Sequence, residues 1–210
     1  MNILGHTHVA LAAGRDDPGW LLGAVLPDLA PMAGVRVDRS ALPDDVADGV
    51  RCHLRTDASF HALPAFLRGA KAIRWALDAR GVSSGPARAV GHAGWELLLD
   101  GTLVRSRTEG AFRRAMAAGS SATVAMSTGD AARWEAFVDR GRTAPEMGFD
   151  DPRWVADRLH AMLGRRSRLR LPAEQVPAVV EVLAEQRPAV VEVAAEVLRA
   201  TVESVSRAPG

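Results

Sequence analysis

The segment ARAVGHAGWELLLDGTLV, residues 87–104, decides the fold class. Its apolar residues recur three and four positions apart, which is the period of an α-helix that buries one face. Because it is more apolar than the segments before it, we expect it to be a central helix. The same period runs through most of the chain, and alternating β-branched runs are nearly absent. The sequence therefore predicts an all-α fold, a single-domain helical bundle of about eight helices over residues 1–210.

Prolines and glycines mark the expected helix ends. Pro27 is expected to stop the second helix, and Pro188 to join or kink the last two. The predicted helices cover about 3–13, 18–26, 43–62, 64–81, 87–104, 131–140, 152–163, 172–186 and 188–205. Residues 119–150 are otherwise rich in Gly, Ser, Thr and Pro, which predicts a loop-rich segment suited to a lid.

Composition excludes several classes of protein. With 26 basic and 25 acidic residues the net charge is +1, so no overall field favours nucleic acid or an anionic membrane. The apolar runs are too short for a membrane span, and the start lacks the pattern of a signal peptide. The single cysteine, Cys52, excludes an internal disulfide framework. We therefore expect a cytoplasmic protein.

Two of the predicted helices each carry histidines and carboxylates at intervals of four. The stripes are His53, Asp57 and His61 on one helix, and His92, Glu96 and Asp100 on the other. Successive members are offset by only roughly 40° around the axis, so each stripe shares one helix face. If the two faces oppose each other, imidazole and carboxylate groups converge as a divalent metal requires.

The N-terminus adds further donors. The tetrapeptide GHTH supplies His6 and His8, and the segment VLPD supplies Asp28. On a helix, His6 and His8 point roughly 200° apart, so we expect only His6 to be a ligand. The predicted metal ligands are His6, Asp28, His53, Asp57, His92 and Glu96, and the metal is Mn, Zn, Fe or Mg. Single pairs at this spacing also occur as solvated ion pairs, and the hypothesis depends on the whole set.

The chain opens with the motif M-N-x-L-x-H-x-H-x-A, which contains His6 and His8. This motif closely resembles the start of the bacterial acyl carrier protein phosphodiesterase (ACP hydrolase) family and is the best match to it. Further similar segments are LLGAVLPD (21–28), GVRCHLRTDASFHALP (49–64), AGWELLL (93–99) and MLGRRSRL (162–169). The resemblance implies an HD-domain-like helical fold and hydrolysis of a phosphodiester that releases 4′-phosphopantetheine from acyl carrier protein. Residues of the family type are His6, His8, His53, Asp57, Arg165 and Arg166, with Glu96 in place of an aspartate.

Three positions depart from the family pattern. Ala24 stands where the family has aspartate, Phe60 and His61 replace a Thr-Asp pair, and His92 replaces an acidic residue. The H-x-x-x-E spacing of the central helix and the early LPD resemble zinc-dependent phospholipase C-like hydrolases instead. No adjacent His-Asp doublet occurs in the chain. The resemblance thus supports the scaffold and the metal chemistry more than a particular substrate.

The leading hypothesis is a metal-dependent phosphoesterase. A bound metal would lower the pKa of a water molecule, and His8, His61 or Asp100 would orient it or act as general base. The candidates for binding the phosphate or the leaving group are Arg55, Arg165 and Arg166. The expected partner is a phosphodiester substrate, with acyl carrier protein as one possibility. The alternatives are a di-iron oxidase in a helical bundle and a helical binding protein that keeps the fold without the reaction.

Overall fold

A computed structural model describes residues 1–142, 147–164 and 166–207 of the chain. These residues form nine α-helices and four short 3-10 helices, with no β-strand among them. The α-helices are α1 (Ile3–Ala12), α2 (Pro18–Ala33), α3 (Asp44–His61), α4 (Pro64–Asp78), α5 (Ser84–Gly101), α6 (Arg107–Ala117), α7 (Thr128–Arg142), α8 (Pro152–Leu163) and α9 (Val176–Arg207). The prediction of an all-α helical bundle is confirmed.

The helix α5, predicted to be central, packs against α1, α4, α8 and α9. Its buried residues include Trp95, Leu98 and Leu99, which are at most 2% exposed. Buried apolar residues of all nine helices form one core. Since burial of a large apolar side chain stabilises by roughly 1.5–3 kcal/mol, this core holds α5 firmly against α1, the helix that carries His6.

Helices α2 and α3 touch backbone to backbone. A Cβ atom at Gly23 would lie 2.0 Å from the carbonyl oxygen of Val46, and one at Gly49 would lie 2.2 Å from the carbonyl oxygen of Trp20. Only glycine leaves room for so close a crossing. The crossing fixes the main chain that carries Asp28 relative to the main chain that carries His53.

The second helix does not stop at Pro27 as predicted. It continues through Pro27 and Pro31 to Ala33 and ends at Gly34, which has the left-handed conformation (φ 69°) that terminates many helices. Leu29 and Ala30 beyond the first proline are buried in the core. Their burial outweighs the hydrogen bonds that the prolines remove. This correction matters because it places Asp28 inside a helix.

The last two predicted helices are one continuous helix, α9, with Pro188 inside it. Pro188 and Ala184, the residue whose carbonyl loses its helical partner, both lie on the solvent-exposed side. Water can therefore satisfy the freed carbonyl group, and the helix is not interrupted.

The stretch 119–150 is more helical than predicted. Gly119–Ala125 forms a 3-10 helix, and α7 buries Trp134, whose indole N–H donates to the carbonyl of Gly119 at 2.7 Å. Residues 143–146 lie outside the described part, so the predicted lid stays a prediction. Within the described ranges, no helix has the combination of length and apolar character needed to cross a membrane.

Candidate metal centre

Three helices bring one group of donors together, which we call the inner group: His6 of α1, Asp28 of α2 and His53 of α3. One donor atom from each residue lies within 4.8 Å of the other two. The Nε2 of His6 is 3.8 Å from Asp28 Oδ2, and the Nε2 of His53 is 4.0 Å from Asp28 Oδ1. Both histidines are buried. These are the ligand types and the spacing of a divalent transition-metal site.

The orientation of His53 is set by the main chain of α2. Its Nδ1 lies 2.9 Å from the carbonyl oxygen of Ala24. A carbonyl can only accept, so Nδ1 carries the proton and Nε2 presents its lone pair toward Asp28. Metal-binding histidines are commonly oriented in this way, by a hydrogen bond from the second ring nitrogen.

Several atoms of the inner group are buried without a hydrogen-bond partner. These atoms are Nδ1 and Nε2 of His6 and Oδ2 of Asp28. The rings of His6 and His53 stack at 3.8 Å between centroids, with 17° between their planes. Burial lowers the pKa of His6 to about 4 and also lowers the pKa of His53, so both rings are neutral at pH 7. A neutral imidazole is the form that binds a metal ion.

A second group, the outer group, consists of His61 at the end of α3 with His92 and Glu96 of α5. Glu96 Oε1 lies 2.8 Å from His61 Nε2 and 3.2 Å from His92 Nε2. The donor atoms again lie within 4.8 Å of one another. The side chain of His92 is 53% exposed and that of His61 is 33% exposed. Solvent therefore reaches the centre from this side.

Asp57 connects the two groups. Its Oδ1 lies 3.2 Å from His6 Nε2 and 3.9 Å from His61 Nδ1, and its Oδ2 lies 3.6 Å from His53 Nε2. The spacing of four along α3 places Asp57 between His53 and His61 on one helix face. One carboxylate therefore contacts donors of both groups.

A positive charge lies between the two groups in the structure. The amino group of Met1 is 2.9 Å from Asp57 Oδ1, 3.1 Å from Glu96 Oε1 and 3.2 Å from His61 Nε2. The ammonium group stands in for a cation at this point and indicates that the surrounding carboxylates favour one.

The three carboxyl groups differ in their pKa values. Burial raises the pKa of Asp28 to about 7, and the carboxylates of Asp57 and Glu96 add to this effect. Burial also opposes ionisation of Asp57 and Glu96. The His6 ring 3.2 Å from Asp57, the hydrogen bonds of His61 and His92 to Glu96, and the Met1 ammonium outweigh it. The pKa of each carboxyl group therefore lies below its usual range. Asp57 and Glu96 are thus charged at pH 7, while Asp28 titrates there.

Two residues predicted to assist catalysis lie away from these groups. Asp100 is fully buried and accepts hydrogen bonds from the main-chain N–H groups of Leu4 and Gly5, at 2.9 and 2.8 Å, and from Asn2. It therefore fixes the N-terminus of α1, and its charge also helps to raise the pKa of Asp28 in the inner group. His8 faces α6, where its Nδ1 lies 3.5 Å from Thr108 Oγ1. His6 and His8 therefore point to different sides of α1, as the helical geometry predicts.

The two predicted phosphate-binding arginines that the structure describes, Arg55 and Arg166, lie away from the centre. Arg55 lines a cavity together with Arg15 and Arg51, beside residues of α2 and α9. Arg166 is exposed at the start of the 3-10 helix Ser167–Leu169. Arg165 lies outside the described residues.

Three groups that shape the metal centre were not predicted from the sequence. The carbonyl of Ala24 carries no side-chain signal, and Met1 is placed by the folding of α1 onto α5. Arg39 is exposed, and its charge is near enough to contribute to the lowered pKa of His53, after the larger effect of burial. It also lines an apolar cavity of about 140 Å³ with Pro27 and Val50, the neighbours of Asp28 and His53 along their helices.

Comparison of the chain with protein-family models, with curated proteins and with solved structures finds no match. The buried His/Asp/His inner group therefore stands on its own geometry, as a group that could hold a metal ion.

Proposed function

We propose that this protein is a metal-dependent phosphoesterase whose centre is formed by the inner group, the outer group and Asp57. The observation that carries the proposal is the set of unpartnered buried atoms on His6 and Asp28. A buried polar atom without a partner costs about 1–3 kcal/mol, and coordination of a cation would remove that cost. The Met1 ammonium beside Asp57 and Glu96 also supports binding of a cation at this centre.

The donor set favours particular metals. Four imidazoles and three carboxylates surround the centre, in the inner group, the outer group and Asp57. Imidazole suits Zn and Fe, and the carboxylates suit Mn, whereas Mg prefers a site made of oxygen ligands alone. The two groups, joined by Asp57, suit a pair of ions. When bound, such ions supply an activated water molecule and a positive charge for the phosphoryl oxygens.

The side chains of the outer group suit proton transfer. His61 is held by Glu96 at 2.8 Å and is partly open to solvent. A histidine oriented by a carboxylate is a common proton acceptor in hydrolysis. His61 therefore takes the role of general base, with Glu96 orienting it, and is not counted among the ligands of an outer ion.

The apolar cavity beside the inner group offers room for the organic part of the ester. Its wall includes Pro27 and Val50, and Arg39 stands at its edge with a positive charge. Arg39 replaces Arg55 as our candidate for contacting the phosphate, because Arg55 lies in the other cavity. The sequence resemblance supports a phosphodiester substrate, acyl carrier protein as one possible bearer of it, and an HD-domain-like relationship of the fold.

The test is elemental analysis of the purified protein together with an activity assay. We expect about two transition-metal ions per chain and hydrolysis of bis(p-nitrophenyl) phosphate that depends on Mn, Zn or Fe. A protein without bound metal that gains no esterase activity with Mn, Zn, Fe or Mg would overturn the proposal.

The di-iron oxidase is less well supported by the same residues. Helical di-iron oxidases use several glutamates and Glu-x-x-His pairs. The described centre contains one glutamate, Glu96, and the residue three positions later is Leu99. Iron with oxygen-dependent turnover would favour the oxidase. A His53→Ala variant that keeps both metal and function would favour a binding protein.

A further inference from the structure

A second cavity lies away from the metal centre, where α1 ends and α2 begins, against α3 and the end of α9. It has a volume of about 490 Å³ and opens to solvent. Residues that line it include Arg15, Trp20, Asp48, Arg51, Cys52 and Arg55. Its size lies within the range of roughly 300–1,000 Å³ that is typical of small-molecule sites.

The geometry of α3 separates this cavity from the metal centre. With about 100° of rotation per residue, Arg51 and Arg55 each lie roughly 200° from His53 around the helix axis. The face of α3 that carries His53 therefore points toward the metal centre, and Arg51 and Arg55 lie on the opposite side of the helix. A small ligand in the cavity cannot contact the metal centre, since α3 lies between them.

The cavity carries an excess of positive charge. Three arginines line it, against the single carboxylate of Asp48. That carboxylate is shared, because Arg15 Nη1 lies 3.1 Å from Asp48 Oδ2 while Arg51 pairs with Oδ1. Asp17 also pairs with Arg15, so two carboxylates face the three arginines and a formal charge of +1 remains. The planar donors of arginine suit phosphate oxygens especially well.

Arg15, just before the start of α2, is held in position without a ligand. The guanidinium carbon of Arg15 lies 4.4 Å from the ring centre of Trp20, and Arg15 Nε lies 3.2 Å from Asp17 Oδ2. The indole itself is fixed because its N–H donates to the carbonyl of Ala10 at 3.2 Å. Groups that are already ordered lose little entropy when they bind.

The walls between the arginines are mostly apolar. Trp20, Cys52 and Val205 contribute to them. Burial raises the pKa of the Cys52 thiol, so this residue acts as an apolar wall and not as a nucleophile. A solvated cluster of ion pairs would need neither this volume nor an aromatic wall. The combination suits a ligand with an anionic end and an apolar body.

We propose that this cavity is a binding site for a small phosphorylated organic molecule, distinct from the metal centre. The phosphate lies among Arg15, Arg51 and Arg55, and the organic part lies against Trp20 and Val205. The site does not depend on the proposed esterase activity, because no residue of the metal centre lines it.

The test is a calorimetric titration of the full-length protein, as purified, with phenylphosphonate, whose P–C bond resists hydrolysis. The variants Arg51→Ala and Arg55→Ala should each weaken binding about tenfold or more, since each removes a charged hydrogen-bond donor. Arg51 is 62% exposed, so its replacement leaves the fold intact. Arg133→Ala, on the exposed face of α7, is the matched control and should leave affinity unchanged.

The same titration distinguishes the two sites. His92→Ala, in the outer group, should leave the affinity for phenylphosphonate unchanged. Loss of binding in His92→Ala with retention in Arg51→Ala would place the phosphonate at the metal centre and overturn the proposal. Absence of binding at millimolar concentration would overturn it as well. Equal affinity for inorganic phosphate and phenylphosphonate would overturn the assignment of an organic ligand.

Discussion

The inner and outer groups contain similar donors in opposite surroundings. In the inner group, His6 and Asp28 hold buried atoms without partners, and His53 is oriented by a main-chain carbonyl. In the outer group, Glu96 pairs with both histidines, and His92 is largely exposed. A cation therefore gains more free energy in the inner group, where its absence leaves polar atoms unsatisfied. Under the proposed function, the more exposed outer group is the side on which exchange and chemistry take place.

Replacing Asp57 should have the largest effect, because its carboxylate contacts donors of both groups. We expect Asp57→Asn to lose most of its bound metal and to lower kcat about a thousandfold, since metal ions supply several kcal/mol of transition-state stabilisation. Elemental analysis and a phosphodiesterase assay measure both effects. The control is Asp157→Asn, an exposed aspartate paired with Arg153 on α8. Equal metal content in Asp57→Asn and the control would contradict the bridging role.

Replacing one histidine of each group should separate the two groups. His53→Ala should lose the tightly bound ion, and His92→Ala should lose only the ion that a mild chelator already removes. Each should lower kcat about a hundredfold or more, because each removes part of the charge at the reacting phosphate. Metal content after dialysis against a weak chelator is the measurement. An identical loss in both variants would mean that the groups bind a single ion.

Asp100 should affect the inner group through α1. In Asp100→Asn, the amide nitrogen cannot accept a hydrogen bond, so one of the two main-chain N–H groups of Leu4 and Gly5 loses its partner. We expect the free energy of unfolding to fall by about 1–3 kcal/mol and the metal affinity of the inner group to fall about tenfold. Denaturant titration and metal titration measure the two effects. An unchanged metal affinity would show that α1 keeps its position without this contact.

The inner group should also depend on pH through Asp28, whose pKa is about 7 in the absence of metal. Below that pH a metal ion must displace the proton, so affinity should rise up to tenfold per pH unit until about pH 7 and then level off. Without metal, the stability contributed by Asp28 is fully present below its unfolded pKa and is lost as the pH rises toward 7. In Asp28→Asn the trend in metal affinity should disappear, as competition with a chromophoric chelator would reveal. The trend in stability should shrink to the part contributed by Asp100, whose pKa burial likewise raises to about 7, as pH-dependent unfolding would reveal.

His8 should have the smallest effect. It lies on the far side of α1 from His6 and contacts Thr108. His8→Gln should change neither metal content nor activity by more than about twofold, because it adds nothing to either group. A large loss of activity in a folded His8→Gln protein would restore the catalytic role that the sequence suggests.

Local spacing explains what the sequence predicts well. The interval of four defines one helix face, so it assigns His53, Asp57 and His61 to a shared surface and separates His6 from His8. The same rule excludes Arg55 from that surface, since it lies two positions from His53. It places Arg55 with Arg51, four positions earlier, on the opposite side of α3, where both line the second cavity.

Long-range packing decides the rest. Whether Pro27 ends a helix depends on the burial of Leu29 and Ala30, which only the tertiary structure determines. The same holds for Asp100, because its partners are main-chain N–H groups of α1, about a hundred positions away in sequence. A main-chain donor or acceptor leaves no trace in residue types, and the carbonyl of Ala24 was missed for that reason.

The glycine crossing of α2 and α3 bears on which ion the centre selects. Because Gly23 and Gly49 already bring the two backbones into contact, the helices cannot approach further, and the core resists their separation. The main chain then sets the distance between Asp28 and His53, so the site has a fixed size. Zinc and manganese need shorter ligand distances than calcium, whose oxygen ligands lie at about 2.3–2.6 Å. We expect the protein to discriminate against calcium by size, and Gly23→Ala to weaken that discrimination in a competition titration.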